Sequence, residues 1–446
     1  MDVEICTVGG YNEVGKNCTA IKYGDEVVIL DMGFFLPSLI NFEEEGGHRK
    51  NLTPNGLISL GAIPDDSVIK SWRGKVKAIA ATHCHLDHIG GIPYLAGKYD
   101  APVLGTPFTT EVLKGMLKDE DIKMKNDIRV LNAGSFYEVS ENIKIEFINM
   151  THSTPHTVMI AVHTPKGVVL YGNDFKFDNH PVVGKKPDYE RLKKIQKEGV
   201  IGLVVDSLYA SARRKTPSEK VAREMLKDVM LGTDSSRNSI IASSFASHIA
   251  RLKSMIEFGK KLDRDIYIMG RSMAKYIGAA EKVGIVNFSK DAQIFGYSRQ
   301  IKKELQKLDK KRRDKAMLIV TGSQGEPGSI LSRMASGQLP YRFNPEDHVI
   351  FSCKVIPAEA NIENRAALEA KLHKKRTRVF TDIHVSGHCG REDLRDLINM
   401  VKPKHIIPAH GDHVKTEALG ELAIEMGYKL KKDVHIVNNG NKLNLK

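Results

Sequence analysis

The sequence predicts an α/β protein of more than one domain, and three observations carry that prediction. The first third of the chain is a series of short β-rich runs punctuated by Gly and Asn. From about residue 201, short apolar runs alternate with helical patterns, as in α/β domains. The 446 residues are 41% hydrophobic and 27% charged, a balance that suits a chain burying a core in water rather than a disordered or membrane-spanning one.

Residues 3–8, 18–23 and 26–30 concentrate β-branched side chains between turn residues and read as strands. Residues 75–81 form a short apolar run ending at a cluster of histidines, and 143–148, 158–163 and 168–171 are further strands. Residues 220–230 and 250–260 place apolar side chains three or four apart and read as helices. Runs at 202–206, 239–243, 266–269, 317–321 and 349–352 alternate with such helices, which predicts a parallel sheet in a second domain. Short runs at 378–380 and 405–408 lie among the last histidines.

Lys and Arg number 67 against 54 Asp and Glu, a net charge of +13, which points to polyanionic partners without naming one. The densest basic run holds Lys302, Lys303, Lys307, Lys310, Lys311, Arg312, Arg313 and Lys315. Leu305 and Leu308 give it the spacing of one exposed helix, so a solvated face competes with a nucleic-acid stripe. The five cysteines form no Cys-x-x-Cys pair, which excludes a thiolate zinc motif and suits a reducing compartment. The acidic start lacks the pattern of a signal peptide, and no apolar stretch approaches a membrane span. A cytoplasmic protein with no membrane partner is expected.

The sharpest motif is His83-Cys84-His85-Leu86-Asp87-His88. His83 and His85 sit two apart, so an extended chain turns both to one side. A helical turn after them would bring Asp87 and His88 back toward a neighbouring point. Nitrogen and oxygen donors so arranged suit two adjacent divalent ions, zinc or manganese rather than calcium. Further donors follow β-like runs: Asp31, His152, Asp174 and His410. Each type also serves in turns and caps; the argument rests on their order together. Asp174 is the natural bridging carboxylate.

This His-x-His-x-Asp-His run with later His, Asp and His resembles the metallo-β-lactamase superfamily. The resemblance implies an αββα sandwich, with His83, His85, Asp87, His88, His152, Asp174 and His410 around two metal ions and Asp31 as the buried carboxylate supporting the ligand loop. Val205-Asp206-Ser207 is similar to the acidic motif that opens the β-CASP insert of nucleic-acid-processing members. Gly270-Arg271-Ser272-Met273, the 321–327 stretch, His384-Val385-Ser386-Gly387-His388 and the 9–17 segment resemble the ribonuclease J family. The implied division is 1–205 and 384–446 for the metallo-β-lactamase domain and 206–383 for an inserted α/β β-CASP domain.

By the same resemblance, the reaction is exonucleolytic removal of nucleotides from a 5′-monophosphate RNA end, with endonuclease cuts in some members. Asp87 would orient the water. His388 would serve the leaving oxygen or scissile phosphate, with Asp206 fixing its tautomer. His384, Ser386, Gly387, Arg271 and Ser323 would contact RNA phosphates. Single-stranded RNA is the implied partner and a homodimer the implied assembly; a His at the last motif, here His410, goes with RNA. Two departures stand out: Pro357-Ala358-Glu359 replaces the usual Pro-Gly-Asn-Glu, and the chain stops soon after His410, as in the shorter archaeal form.

Competing readings are an endonuclease similar to the cleavage-and-polyadenylation factor, a small-molecule thioester or lactam hydrolase, and an RNA-binding scaffold with a dead metal site. The 10–16 segment nearly spells a phosphate-binding loop, but Asn17 replaces the required Ser or Thr and a strand follows. No nucleotide cofactor is therefore expected. His156 is read as a neighbour without ligation, and Phe245 as core rather than a base-stacking platform.

Overall fold

In the computed structural model, which describes residues 2–44, 46–308 and 313–445, the early β-rich runs form one mixed sheet. Strands β1 (Val3–Gly9), β2 (Cys18–Tyr23) and β3 (Glu26–Leu30) pair antiparallel. Strands β4 (Val76–Ala80), β5 (Val103–Gly105) and β6 (Ile128–Val130) continue it in parallel. The far edge is β19 (Lys442–Leu445), antiparallel to β1 with Val3 opposite Leu445.

A second sheet holds β7 (Phe136–Glu138), β8 (Lys144–Asn149), β9 (Val158–Thr164), β10 (Gly167–Gly172), β11 (Val200–Asp206) and β18 (His405–Ala409), in the order β18-β11-β10-β9-β8-β7. The alternation pattern placed the run at 202–206 with the second domain. Instead β11 lies between β10 and β18, because its Val, Ile and Leu are buried on both faces, as a central strand requires. Ile5, Ile21, Val28 and Ala78 of the first sheet share one core cluster with Phe147, Ile160, Val169 and Val204 of the second. The second sheet's other face packs Leu170 and Leu203 with Leu192, Leu397 and Leu419 from helices Tyr189–Glu198, Arg391–Val401 and His413–Glu425. The inner faces thus make the sandwich, and helices cover the outside.

This sandwich is one of two compact units, Met1–Asn179 with Lys185–Thr216 and Ser386–Lys446; the other is His180–Gly184 with Pro217–Val385. The second unit is built on an all-parallel sheet of β12 (Ile240–Ser243), β13 (Asp265–Met269), β14 (Gln293–Phe295), β15 (Ala316–Val320), β16 (His348–Phe351) and β17 (Arg378–Phe380). Its order is β14-β13-β15-β12-β16-β17. Helix Ser298–Leu308 buries Ile301, Leu305 and Leu308 against this core, so the part of the basic run it carries is the solvated face of an amphipathic helix. Lys310, Lys311 and Arg312 lie outside the described residues. Phe245, expected in the core, is half-buried in the turn after β12. Among the described residues no helix is long and apolar enough to cross a membrane.

A buried ion pair holds the second unit's strand ends. Arg251 is fully buried and forks onto Glu219, with Nε to Oε1 at 2.6 Å and Nη2 to Oε2 at 2.9 Å. Its Nη1 also donates to the Ser352 carbonyl and hydroxyl, both at 2.8 Å, and to the Ile383 carbonyl at 3.1 Å. Removing one partner of such a pair strands the other charge. Arg251→Met is therefore expected to destabilise this unit by about 3–5 kcal/mol, read as a lower urea midpoint. Glu219→Met combined with Arg251→Met should recover part of that loss.

Candidate metal centre

Strand ends of both sheets meet at one rim of the sandwich. Asp31 follows β3, His83 follows β4, His152 follows β8, Asp174 follows β10, Asp206 ends β11 and His410 follows β18. Asp31, Asp174 and His410 all have positive φ, at 58°, 47° and 52°. These left-handed steps end the strands abruptly and turn the chain at the rim. The His83–His88 run leaves β4 extended and then forms the helical turn Leu86–Ile89.

The side chains fall into three overlapping donor groups, of which two share Asp174 and the third joins Asp206, His388 and His410. In the first, His85 Nδ1 lies 3.0 Å from His83 Nε2 and 3.1 Å from His152 Nε2. Asp174 Oδ2 is 3.6 Å from His83 Nε2 and 3.7 Å from His152 Nε2. Four donors around a tetrahedral zinc with bonds near 2.0–2.1 Å stand about 3.3 Å apart, so these spacings fit one ion. In the second group, His88 Nε2 is 3.1 Å from Asp174 Oδ2 and 3.6 Å from Asp87 Oδ2. His410 reaches Asp174 Oδ1 at 3.5 Å and Asp87 Oδ2 at 4.0 Å. Asp174 belongs to both groups, and its buried Oδ1 has no hydrogen-bond partner. A carboxylate oxygen buried without a donor is costly unless a cation faces it. The residues fit a pair of divalent ions.

Outer contacts aim these donors. Asp31 Oδ2 accepts from His88 Nδ1 at 2.8 Å and Asp31 Oδ1 from the Thr82 amide at 2.8 Å, which leaves His88 Nε2 for the site. His152 Nδ1 donates to the Gly387 carbonyl at 2.7 Å, and Thr82 Oγ1 lies 3.0 Å from His83 Nδ1. Cys84, between the two histidines, turns the opposite way to Thr154 at 3.1 Å, and burial pushes its thiol up to about 12. It is a packed thiol, not a ligand.

Charge follows the same division. Burial drives His83 and His152 well below the usual imidazole range and takes His85 to about 4, so all three are neutral and able to ligate. His88 behaves otherwise: burial opposes its charge, but Asp174, Asp87 and Asp31 outweigh it and hold its imidazole well above the usual range. A proton there occupies the electrostatic place of a cation. Asp174 stays ionised despite burial, because His410, His88 and His388 surround it.

In the third group, His388 Nδ1 lies 2.8 Å from Asp206 Oδ2, and His388 Nε2 is 3.9 Å from Asp174 Oδ2. Burial disfavours its charge, but Asp174 and Asp206 hold its imidazolium up to about 9. Ser386 Oγ accepts from the His388 amide at 3.0 Å. Arg271, Ser323 and His384 belong to the second unit and are absent from these donor groups. There, Arg271 opens the helix Arg271–Lys282, and the Ser323 carbonyl accepts from Arg365 at 2.8 Å. His156 is also outside the groups.

Sequence reasoning missed Asn17. It is buried, its amide and Nδ2 both donate to the Asp87 carbonyl at 3.1 and 3.0 Å, and Nδ2 lies 2.9 Å from His410 Nδ1. The available signal is a polar Asn closing the Gly-rich 9–17 segment, which resembles the family but does not by itself show what the side chain holds.

Residues 11–228 match the metallo-beta-lactamase superfamily, 237–367 the beta-CASP domain of ribonuclease J, and 373–437 a Zn-dependent metallo-hydrolase RNA specificity domain. Ribonuclease J of Methanocaldococcus jannaschii is 43% identical, over 99% of this chain and 98% of its own length. The chain belongs to the ribonuclease J family. Ribonuclease J of Pyrococcus abyssi is 44% identical over 98% of this chain and 96% of its own. Ribonuclease J 1 of Streptococcus pyogenes is 32% identical over the whole chain but 74% of its own length. A solved protein of unknown function from Enterococcus faecalis V583 aligns over all of both chains with a TM-score of 0.65 at 16% identity, a likeness of fold alone. The fold is thus a metallo-β-lactamase domain with a β-CASP insertion.

Proposed function

We propose that this metal-dependent nuclease of the ribonuclease J family degrades single-stranded RNA from a 5′-monophosphate end, in the 5′ to 3′ direction. The observation that carries the reading is the sharing of Asp174 by two donor groups with the Asp206-held His388 alongside. Two divalent ions, zinc or manganese, held by His83, His85 and His152 on one side and Asp87, His88 and His410 on the other, with Asp174 between, would supply an acidified water and charge neutralisation at the phosphate.

The protein's own groups divide the remaining work. Asp87, whose side chain is 22% exposed, is the one carboxylate of the cluster open enough to orient the attacking water and take its proton. His388, fixed through Nδ1 by Asp206, donates from Nε2 to the departing 3′ oxygen. Asp174 and Asp206 together outweigh burial and favour its acid form. Ser386 and the Gly387 amide donate to phosphate oxygens. Gly387 has no room for a side chain, since a Cβ would stand 2.9 Å from two ring atoms of His152.

Digestion of RNA labelled at the 5′ or the 3′ end, carrying a monophosphate or a triphosphate, tests the direction. Early release of mononucleotide from the 5′ label, faster with monophosphate, is expected; internal fragments regardless of the end would overturn it. His388→Ala should slow hydrolysis on the order of 10²-fold, as for loss of a general acid. Metal content should be retained, measured by elemental analysis alongside single-turnover rates.

A further inference from the structure

We infer that Arg213 and Arg214 grip RNA phosphates beside the scissile one, from a loop that closes on His388 at both of its ends. The inference rests on the reading of this protein as a nuclease of single-stranded RNA.

The loop runs from Asp206, the last residue of β11, to Thr216. Asp206 Oδ2 holds His388 Nδ1 at 2.8 Å, and Thr216 Oγ1 donates to the His388 carbonyl at 2.7 Å. Residues 206–216 thus begin and end on the same histidine. Between these ends the backbone is tied down. The Leu208 amide donates to Asp206 Oδ1 at 2.7 Å, and the Ala212 amide to the Tyr209 carbonyl at 3.0 Å. The Ala212 carbonyl accepts from the Arg391 amide at 3.0 Å, and the Thr216 amide donates to Asp393 Oδ2 at 2.7 Å. Gly390 passes so close to the loop that a Cβ there would stand 2.2 Å from the Arg214 carbonyl oxygen. A surface loop held on a rigid scaffold is the usual carrier of binding side chains.

This one presents Arg213, Arg214 and Lys215 in a row, all exposed. Lys215 is taken by Asp396 at 2.6 Å, and Glu392 nearby by Arg395 at 2.9 Å. Among the described residues neither Arg213 nor Arg214 has a carboxylate partner. A guanidinium so placed keeps its forked donors open, and that fork matches a phosphate. The Arg213 Cα is at most about 11 Å from that of Thr216, even in a fully extended chain. Burial raises the Tyr209 phenol above its usual range, and the Arg214 charge pulls the other way. The Tyr209 ring in turn stands edge-on to His388, with centroids 6.1 Å apart. Both arginines therefore stay near the phosphate that His388 serves. A merely solvated cation adds only to net charge, whereas a phosphate contact releases a counterion when RNA docks, so the two differ in salt dependence.

The test is equilibrium binding, by the metal-loaded protein, of a 5′-phosphorylated oligoribonucleotide with phosphorothioate linkages over a range of salt concentrations. Arg213→Ala and Arg214→Ala are each expected to weaken binding about 3–5-fold at low salt, the scale of one exposed ion pair. Each should also flatten the plot of log affinity against log salt by about 0.7, the increment for one phosphate contact on a single strand. Arg213→Lys and Arg214→Lys, which keep the charge, should keep the wild-type slope. Lys302→Ala combined with Lys303→Ala removes exposed charges from the amphipathic helix Ser298–Leu308 and should leave the slope unchanged. Metal content should be that of the wild type in every variant. A wild-type slope in either arginine-to-alanine variant, or an equal flattening by the Lys302 and Lys303 pair, would overturn the inference. No binding of the oligonucleotide by the wild-type protein would instead overturn the reading of the substrate, and this inference with it.

Discussion

Asp174→Ala is expected to lower turnover at least about 10⁴-fold, the scale on which groups that act as a unit fail together. The reason is its double membership. Asp174 Oδ2 stands within 3.1–3.7 Å of His88, His83 and His152, and Oδ1 within 3.5 Å of His410. Loss of a ligand confined to one group leaves the other group intact. Loss of Asp174 would take a donor from both groups and remove the carboxylate that they share. Metal content should fall from two ions to below one per chain. Asp174→Asn separates charge from shape: an amide keeps an oxygen donor but bridges poorly, so partial metal retention with little activity is expected. Two ions retained by Asp174→Ala would contradict the bridging role.

The legible part of this site is the part with a local period. His83 and His85 alternate with Cys84, and a period of two is enough to set both imidazoles on one side and the thiol on the other. Asp174 and His410 were visible only as polar residues after apolar runs, because what joins them is a rim shared by two sheets. Asn17 carried less signal. Asn17 acts partly through its backbone amide, and its partner, the Asp87 carbonyl, is a main-chain atom that no side-chain pattern encodes. In the fold, β11 was visible as a strand but not by its sheet, since an all-apolar run fits the centre of either. The edge strand β19 was not legible: Lys442-Leu443-Asn444-Leu445 is only four residues long and half polar, and its place comes from pairing with β1.

Gly33→Ala is expected to lower activity at least about 10³-fold without touching any donor atom. Gly33 follows Asp31 out of β3 and passes directly under the ligand loop. A Cβ at this position would stand 1.6 Å from the Asp87 carbonyl oxygen, 2.1 Å from its carbon and 2.8 Å from the His88 nitrogen. All three are main-chain atoms, so no side-chain rotation relieves the clash. Real Cβ contacts essentially never fall below 3.0 Å, so the Asp87 carbonyl must retreat by roughly 1.4 Å, the difference from 1.6 Å. A displacement of about 1 Å already costs on the order of 10²-fold, and here it acts on the backbone that carries Asp87 and His88 together. It also pulls the Asp87 carbonyl from the two Asn17 donors at 3.0 and 3.1 Å. The second donor group should therefore lose its ion first, while His83, His85 and His152 keep theirs. Elemental analysis should give close to one ion per chain, in contrast to the loss of both from Asp174→Ala. Two retained ions and wild-type turnover would mean that the loop yields without moving its ligands.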